Sequence, residues 1–96
     1  INSAPHAQRA RQVARDLYGD AAVPQEFPLW YASESFSTYC RAYPGVLALL
    51  GIQNLEKGCG AEHHNERFDI DEDALDMGVQ VTVGYVRSLM DHGLPV

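Results

Sequence analysis

The stretch from residue 59 to residue 68 holds the densest set of chemically active side chains in the sequence. It reads CGAEHHNERF, so Cys59 and Glu62 stand close to the adjacent histidines His63 and His64. Neutral imidazole is the most common metal-binding side chain, and thiolate and carboxylate often bind beside it. Because neighbouring side chains point in different directions on a regular backbone, at most one of these histidines suits a given ion. From the residues alone, two interpretations of these histidines stay open: one of them is a metal ligand, or both are solvent-exposed and bind no ion.

The spacing does not support a metal site that this chain completes by itself. A zinc site built from Cys40, Cys59 and one histidine lacks the CxxC or HxxxH spacing that such sites show. Residues 69–73 begin like a calcium loop, but Ala74 stands where that loop needs glycine and Gln80 where it needs glutamate. The acidic residues are better explained as caps of a helix N-terminus, where carboxylates complement the helix dipole.

Composition limits the classes of function that the sequence can serve. The 96 residues carry a formal net charge of −6, and 46% of them are hydrophobic. One domain at most is expected from this length, and the acidic balance disfavours binding to nucleic acid or to anionic membranes. No apolar run approaches the ~20 residues of a spanning helix, and no signal peptide opens the chain. Cys40 and Cys59 are expected to be reduced thiols of a cytoplasmic protein.

Helices on either side of the histidine loop are predicted from hydrophobic spacing. A first helix, capped by Asn2 or Ser3 and ended by Gly19, carries Ala7, Ala10, Val13, Ala14 and Leu17 at 3–4 spacing, and its arginines are expected on a solvated face. A second helix runs from Ser33 to about Ala42. The last helix is capped by Asp69 or Asp71 and reaches about His92. Its predicted buried stripe comprises Leu75, Val79, Thr82, Val83, Val86, Leu89 and Met90.

The apolar run at residues 46–50, bounded by Gly45 and Gly51, predicts a strand buried on both faces in an α/β sheet. Residues 20–31 are predicted to be a connector with a short edge strand near 25–27. A central strand needs neighbours, and this sequence supplies at most two strands, so the sheet is expected to be incomplete. The first residue is Ile1 rather than methionine, so the sequence is expected to be a processed chain, an expressed segment or a piece of something longer.

Several motifs occur in an order that is more specific than any one of them. These are ASESFS at residues 32–37, YPG at residues 43–45, the apolar run that ends at Gly51, and HNERFDIDE at residues 64–72 followed by Ala74, Leu75 and Gly78. The order resembles the C-terminal part of the metal-dependent amidohydrolases of the aminoacylase and carboxypeptidase superfamily, which include hippurate hydrolase and indoleacetyl-amino-acid hydrolase. The opening INSAP resembles the exit from their lid domain. Ser35 and Glu66 depart from the family pattern, which has aspartate and proline at these positions.

The resemblance implies a fold and a division of the chain. The chain would be the C-terminal portion of an α/β catalytic domain, a hydrolase-like sheet with flanking helices that is incomplete on its own. Residues 1–19 would form the helix that leaves the lid domain, and residues 33–51 a helix and the buried strand. Residues 53–68 would form the metal-ligand loop, and residues 69–92 the C-terminal helix.

The resemblance also implies a chemistry. His64 would be one ligand of a site for two divalent ions (Zn, Mn, Ni or Co), with His63 and Glu34 near it or in the pocket wall. The other ligands and the catalytic base would lie upstream, so the chain would hold no catalytic residue and be inactive alone. The substrate would be an N-acyl amino acid or a related aminoacyl conjugate. The partners would be the rest of the same enzyme and a second subunit that binds through the lid.

An alternative from another class is a small standalone α/β domain that binds other proteins and carries its histidines incidentally. The low strand count argues against this alternative, because residues 46–50 would then lack neighbouring strands.

Overall fold

The computed structural model describes residues 1–24 and 35–95, and within these ranges the regular structure is helical. Its α-helices are α1 (Ala4–Tyr18), α2 (Phe36–Ala42) and α3 (Asp73–His92), and single 3₁₀ turns lie at Asp20–Ala22 and Leu55–Lys57. The described residues form no strand; an isolated antiparallel bridge joins Asn54 and Cys59. No helix in these ranges has both the length and the apolar character needed to cross a bilayer. Cys40 and Cys59 are both free thiols.

Helix α1 has the bounds that the sequence predicts. Ser3 precedes it, Pro5 lies in its first turn, where a missing N–H costs nothing, and Gly19 ends it with φ 86°. The Gly19 N–H donates to the Arg15 carbonyl at 2.7 Å. Of the predicted apolar face, Ala7, Ala10, Val13 and Ala14 are half-buried, whereas Leu17 is exposed.

Helices α1 and α3 pack against each other at a glycine. A Cβ on Gly84 would lie 2.8 Å from Val13 Cγ1 and 3.5 Å from Leu17 Cδ1. The close approach of the helices therefore requires a residue without a side chain at this position. Gly78 plays a similar part against the apolar run, because a Cβ there would lie 3.0 Å from Leu50 Cδ2. Both glycines thus allow close packing, Gly84 against α1 and Gly78 against the apolar run.

A polar pair is buried where the two helices meet. His6 is buried, its Nδ1 shares a hydrogen bond with the Tyr85 hydroxyl, and the two rings meet edge to face. Burial raises the pKa of Tyr85, and the positive charge of Arg9 partly offsets this. The expectation of a solvated face was wrong for Arg9, whose Nη1 donates to the Ser88 carbonyl and hydroxyl and to the Gly93 carbonyl. Arg9 therefore caps the C-terminus of α3, where cations are favoured.

The predicted buried face of α3 is mostly exposed, so that prediction was wrong for the described residues. We call this face the exposed stripe; it comprises Leu75, Val79, Val83, Val86 and Met90, with exposed fractions from 42% for Val83 to 80% for Met90. Thr82 is exposed as well, and Leu89 is half-buried. Helix α3 instead packs on α1 through the opposite face, with Gly84, Tyr85 and Ser88. Helical spacing identifies residues that share a face, but both faces of α3 are apolar enough to be buried.

The apolar run at residues 46–50 is not a strand in the structure, and Leu47, Leu49 and Leu50 are exposed. A strand is defined by hydrogen bonds to a neighbouring backbone, and the described ranges place no strand beside this run. The described residues therefore do not show the sheet of the predicted α/β class. The predicted cap Ser33 and the predicted edge strand at residues 25–27 lie outside the described residues.

Candidate functional site

The loop that carries the two histidines begins and ends at one point. The Asp71 N–H donates to the Ile52 carbonyl at 2.9 Å, which brings the two ends together. Just inside this contact, the backbones of Asn54 and Cys59 exchange hydrogen bonds of 2.8 and 2.9 Å around the turn that contains Gly58 at φ 78°. The loop from residue 52 to residue 71 is therefore closed at its base, and His63 and His64 lie away from that base.

Asp71 is the centre of the polar contacts at the base of the loop. Its Oδ2 accepts a hydrogen bond from Asn54 Nδ2 at 2.9 Å. Its Oδ1 accepts from Lys57 Nζ at 3.0 Å and from the Asp73 N–H at 3.1 Å. The hydrogen bond from Asn54, followed by those from Lys57 and the Asp73 backbone, holds the pKa of Asp71 below its ordinary value. Lys57 also reaches Asp73 Oδ2 at 2.7 Å, and the two carboxylates raise the pKa of Lys57.

These contacts distinguish the two aspartates that precede α3, whose N-cap residue is Glu72. The sequence left Asp69 and Asp71 as alternatives, and the carboxylate that accepts from the first N–H of the helix belongs to Asp71. Asp69 instead accepts from the next residue, Ile70, at 2.8 Å.

Cys59 is packed inside the base of the loop and is 4% exposed. Its Sγ donates to the Lys57 carbonyl at 3.7 Å. Burial, reinforced by the charges of Asp69 and Asp71, raises the pKa of the Cys59 thiol. Because the thiolate is the form that binds metals, these surroundings favour a structural rather than a ligand role for Cys59.

The histidine end of the loop is a compact turn organised by Asn65. Its Oδ1 accepts from the Arg67 N–H at 2.8 Å, and its carbonyl accepts from the Phe68 N–H at 3.0 Å. The ring of His63 lies against the ring of Phe68, with 5.0 Å between centroids and 35° between planes. His63 is thus engaged in the packing of the turn.

His64 differs from His63 in both backbone and side chain. With φ at 63°, it is the single non-glycine residue with positive φ in the described ranges. For an L-residue this left-handed conformation costs about 1–2 kcal/mol, and such residues cluster at functional sites. Its imidazole is exposed and has no hydrogen bond, ion pair or ring contact with any described residue. The turn therefore presents the His64 side chain outward with its nitrogens free.

The sequence-predicted site residues are only partly brought together. His63, His64 and Cys59 belong to one loop, whereas Cys40 lies half-buried in α2. Glu34 lies outside the described residues. Within residues 1–24 and 35–95, no three His, Cys, Asp or Glu side chains are arranged to hold a metal ion. A groove of about 280 Å³ runs along the loop and is lined by residues 52–53 and 59–62 and by Asp69.

Sequence reasoning missed Asn54 and Lys57 as partners of Asp71. They precede Asp71 by 17 and 14 residues, and nothing in the local pattern pairs residues so far apart. The acidic run alone indicated a helix cap, and this part of the signal was correct.

Comparison with known proteins identifies relatives over most of the chain. The model of "Peptidase family M20/M25/M40" matches residues 1–88. Two proteins of Saccharolobus solfataricus, thermostable carboxypeptidase 2 and thermostable carboxypeptidase 1, are each 39% identical over 67 residues. That match covers 70% of this chain and 17% of each carboxypeptidase. The IAA-amino acid hydrolase ILR1-like 6 of Arabidopsis thaliana is 34% identical over 71 residues, which cover 74% of this chain and 15% of that protein.

No solved structure gives a significant match. The chain spans about a sixth of the length of the curated relatives that it matches. The matched region of the family model extends from the start of α1 through the histidine loop and most of α3, and it confirms the resemblance to metal-dependent amidohydrolases. The chain belongs to peptidase family M20/M25/M40.

Proposed function

We propose that this chain is part of a metal-dependent hydrolase that cleaves the amide bond of N-acyl amino acids or related aminoacyl conjugates. Membership of the peptidase family supports the hydrolase class. The names of its relatives, two carboxypeptidases and an IAA-amino acid hydrolase, support a substrate that contains an amino acid. The chain's contribution would be one metal ligand and part of the pocket wall, with no catalytic base.

The observation that carries the proposal is the state of His64. Its imidazole is exposed and without a partner among the described residues, on a strained left-handed backbone. A histidine that only filled space would pack as His63 does against Phe68. We therefore assign the ligand role to His64 and a supporting role to His63.

The donors that the chain offers fit a site completed by other polypeptide. A single free imidazole suits Zn, Mn, Ni or Co, and two such ions are proposed for each full-length subunit. When bound, divalent ions lower the pKa of a water molecule and polarise an amide carbonyl. His64 would hold one ion. Cys59, buried with a raised pKa, lines the groove along the loop.

The exposed apolar surface of the chain supports the proposal that a larger catalytic domain surrounds it. The exposed stripe of α3 and the exposed leucines at residues 47–50 are apolar surfaces that need cover. In the full-length enzyme we propose that the remaining α/β domain covers them, with residues 46–50 as a strand of its sheet. The division into a lid-exit helix, a ligand loop and a C-terminal helix, and dimerisation through the lid, belong to the same proposal. The exposed stripe would equally serve the alternative of a protein-interaction domain, but family membership favours the enzyme.

The proposal is tested by exchanging each histidine for alanine in the full-length protein. His64→Ala should lower bound metal and abolish hydrolysis of an N-acyl amino acid, because an inner ligand is lost. His63→Ala should retain most metal and lose less activity. Mass-spectrometric metal analysis of both purified variants is the measurement. Equal metal loss in the two variants, or full metal retention by His64→Ala, would contradict the assignment.

A further inference from the structure

The base of the histidine loop contains one side chain that bridges the turn at residues 54–59 and the start of α3. Both carboxylate oxygens of Asp71 are used, towards Asn54, Lys57 and the first N–H of α3. Its own N–H binds the Ile52 carbonyl on the other side of the loop. The removal of this side chain would leave the turn at residues 54–59 linked to α3 by the exposed Lys57–Asp73 ion pair, with the backbone bonds at the base of the loop still in place.

Asp71 and its neighbour Asp73 differ in how far their side chains are exposed to solvent. The side chain of Asp71 is 17% exposed, whereas that of Asp73 is 85% exposed and Lys57 is 50% exposed. Among the described residues, the Asp73 carboxylate contacts the flexible end of Lys57 alone, and exposed ion pairs of this kind contribute little. Asp73 is therefore a matched control that has the same charge, the same lysine partner and a position two residues away.

We propose that Asp71 is a positioning residue for His64, an inference that rests on the proposed metal-ligand role of His64. The Asp71 carboxylate ties the turn at residues 54–59 to α3, so the loop that presents His64 has fewer conformations to lose when the imidazole binds an ion. Without Asp71, the ordering of the loop would oppose metal binding. Residues that orient a metal ligand from outside the coordination sphere typically change metal affinity 10–100-fold.

The test is a Zn²⁺ titration of the metal-free full-length protein with Asp71→Ala, Asp73→Ala and His64→Ala. We expect Asp71→Ala to weaken Zn²⁺ affinity 10–100-fold and to accelerate amide hydrogen exchange at residues 60–68. Asp73→Ala should stay within twofold of the parent. The thermal midpoint of each metal-free variant is measured in parallel, because a merely structural role would lower the midpoint and leave affinity unchanged.

A polarity exchange gives a second, independent readout. Asn54→Asp alone sets two carboxylates against each other at the 2.9 Å contact and should weaken Zn²⁺ binding. The addition of Asp71→Asn restores a donor facing an acceptor, so the double variant should return to within threefold of the parent affinity. Such rescue requires the contact itself rather than the charge.

The outcomes separate this inference from the proposed function. If His64→Ala retains the parent affinity, the ligand assignment of His64 is wrong, and the positioning role falls with it. If His64→Ala loses affinity but Asp71→Ala matches Asp73→Ala, the ligand assignment stands and the positioning role is overturned. If Asn54→Asp with Asp71→Asn binds Zn²⁺ no better than Asn54→Asp alone, the contact is not what positions the loop.

Discussion

The side-chain amide of Asn2 hydrogen-bonds both backbone polar groups of Leu47. Its Oδ1 accepts from the Leu47 N–H at 2.9 Å, and its Nδ2 donates to the Leu47 carbonyl at 3.0 Å. A carboxamide offers a donor and an acceptor in one plane, as a peptide group does, so Asn2 takes the place of a neighbouring strand. The adjacent N–H of Ser3 donates to the Gly45 carbonyl at 2.8 Å and extends the contact.

Replacement of Asn2 should therefore loosen the start of the apolar run. In the full-length protein, Asn2→Ala removes two hydrogen bonds, and we expect the free energy of unfolding to fall by about 1–3 kcal/mol, since each bond contributes on the order of 0.5–1.5 kcal/mol. Urea unfolding measures the change. Gln8→Ala is the control, because Gln8 is exposed and has no partner among the described residues. Equal stability of the two variants would show that the Asn2 contact does not contribute.

The effect of Gly84→Ala on stability should change sign with the residue at position 13, which faces Gly84. In the parent, the added methyl meets Val13 at 2.8 Å, and overpacking of about 1–3 kcal/mol exceeds the ~1 kcal/mol gained from alanine in a helix. In a Val13→Ala background the contact is absent, so the same substitution should stabilise the protein. A double-mutant cycle measured by thermal unfolding tests this, and additive effects would contradict the close approach of α1 and α3.

The left-handed backbone of His64 predicts that two substitutions at this position differ in stability but not in metal binding. Glycine adopts φ near 63° without strain, so metal-free His64→Gly should be about 1 kcal/mol more stable than His64→Ala. Both variants lack the imidazole and should bind equally little metal. Calorimetric unfolding of the two metal-free proteins, with metal analysis alongside, checks both parts. A less stable glycine variant would mean that the turn does not hold this conformation.

The hydrogen bonds of Asp71 predict a dependence of stability on acid pH. Its folded pKa lies below the ordinary value of 3.8, so its contribution is complete above pH 3.8 and is lost as the pH falls through the folded pKa. The urea midpoint should therefore drop more steeply below pH 4 in the parent than in Asp71→Asn, which has no proton to gain. Parallel profiles for the two proteins would contradict the prediction.

The contribution of Lys57 to stability depends on pH in the opposite direction, because it is lost on the alkaline side. Its folded pKa is raised above the ordinary 10.5, so its contribution is complete below pH 10.5 and is lost only as the pH rises through the folded pKa. The contact between Lys57 and Asp71 is thus retained across the neutral range.

The helices were the most predictable part of the fold. The bounds of α1 follow from Pro5 and Gly19, and the end of α3 at His92 follows from Gly93, because these residues determine backbone conformation locally. The contacts between helices were not predictable, since the His6–Tyr85 and Arg9–Ser88 pairs each join residues 79 positions apart. Local spacing carries no information about such pairs.

The candidate site, too, could be predicted only in part, because local sequence does not reveal its contacts. The sequence placed His63 and His64 in one polar loop, but residue type and spacing alone could not choose between them. The choice depends on the ring of Phe68 against His63 and on the positive φ of His64, which arise only when the loop closes. The family resemblance favoured His64, and we propose the same residue from the geometry of the loop.

The exposed stripe of α3 has a consequence for handling the polypeptide by itself. Five large aliphatic side chains along one helix offer a ready surface for chaperones and for other copies of the same chain. If the proposed larger catalytic domain covers this stripe, the 96 residues expressed alone should accumulate in inclusion bodies, and co-expression with the rest of that proposed domain should bring them into the clarified lysate.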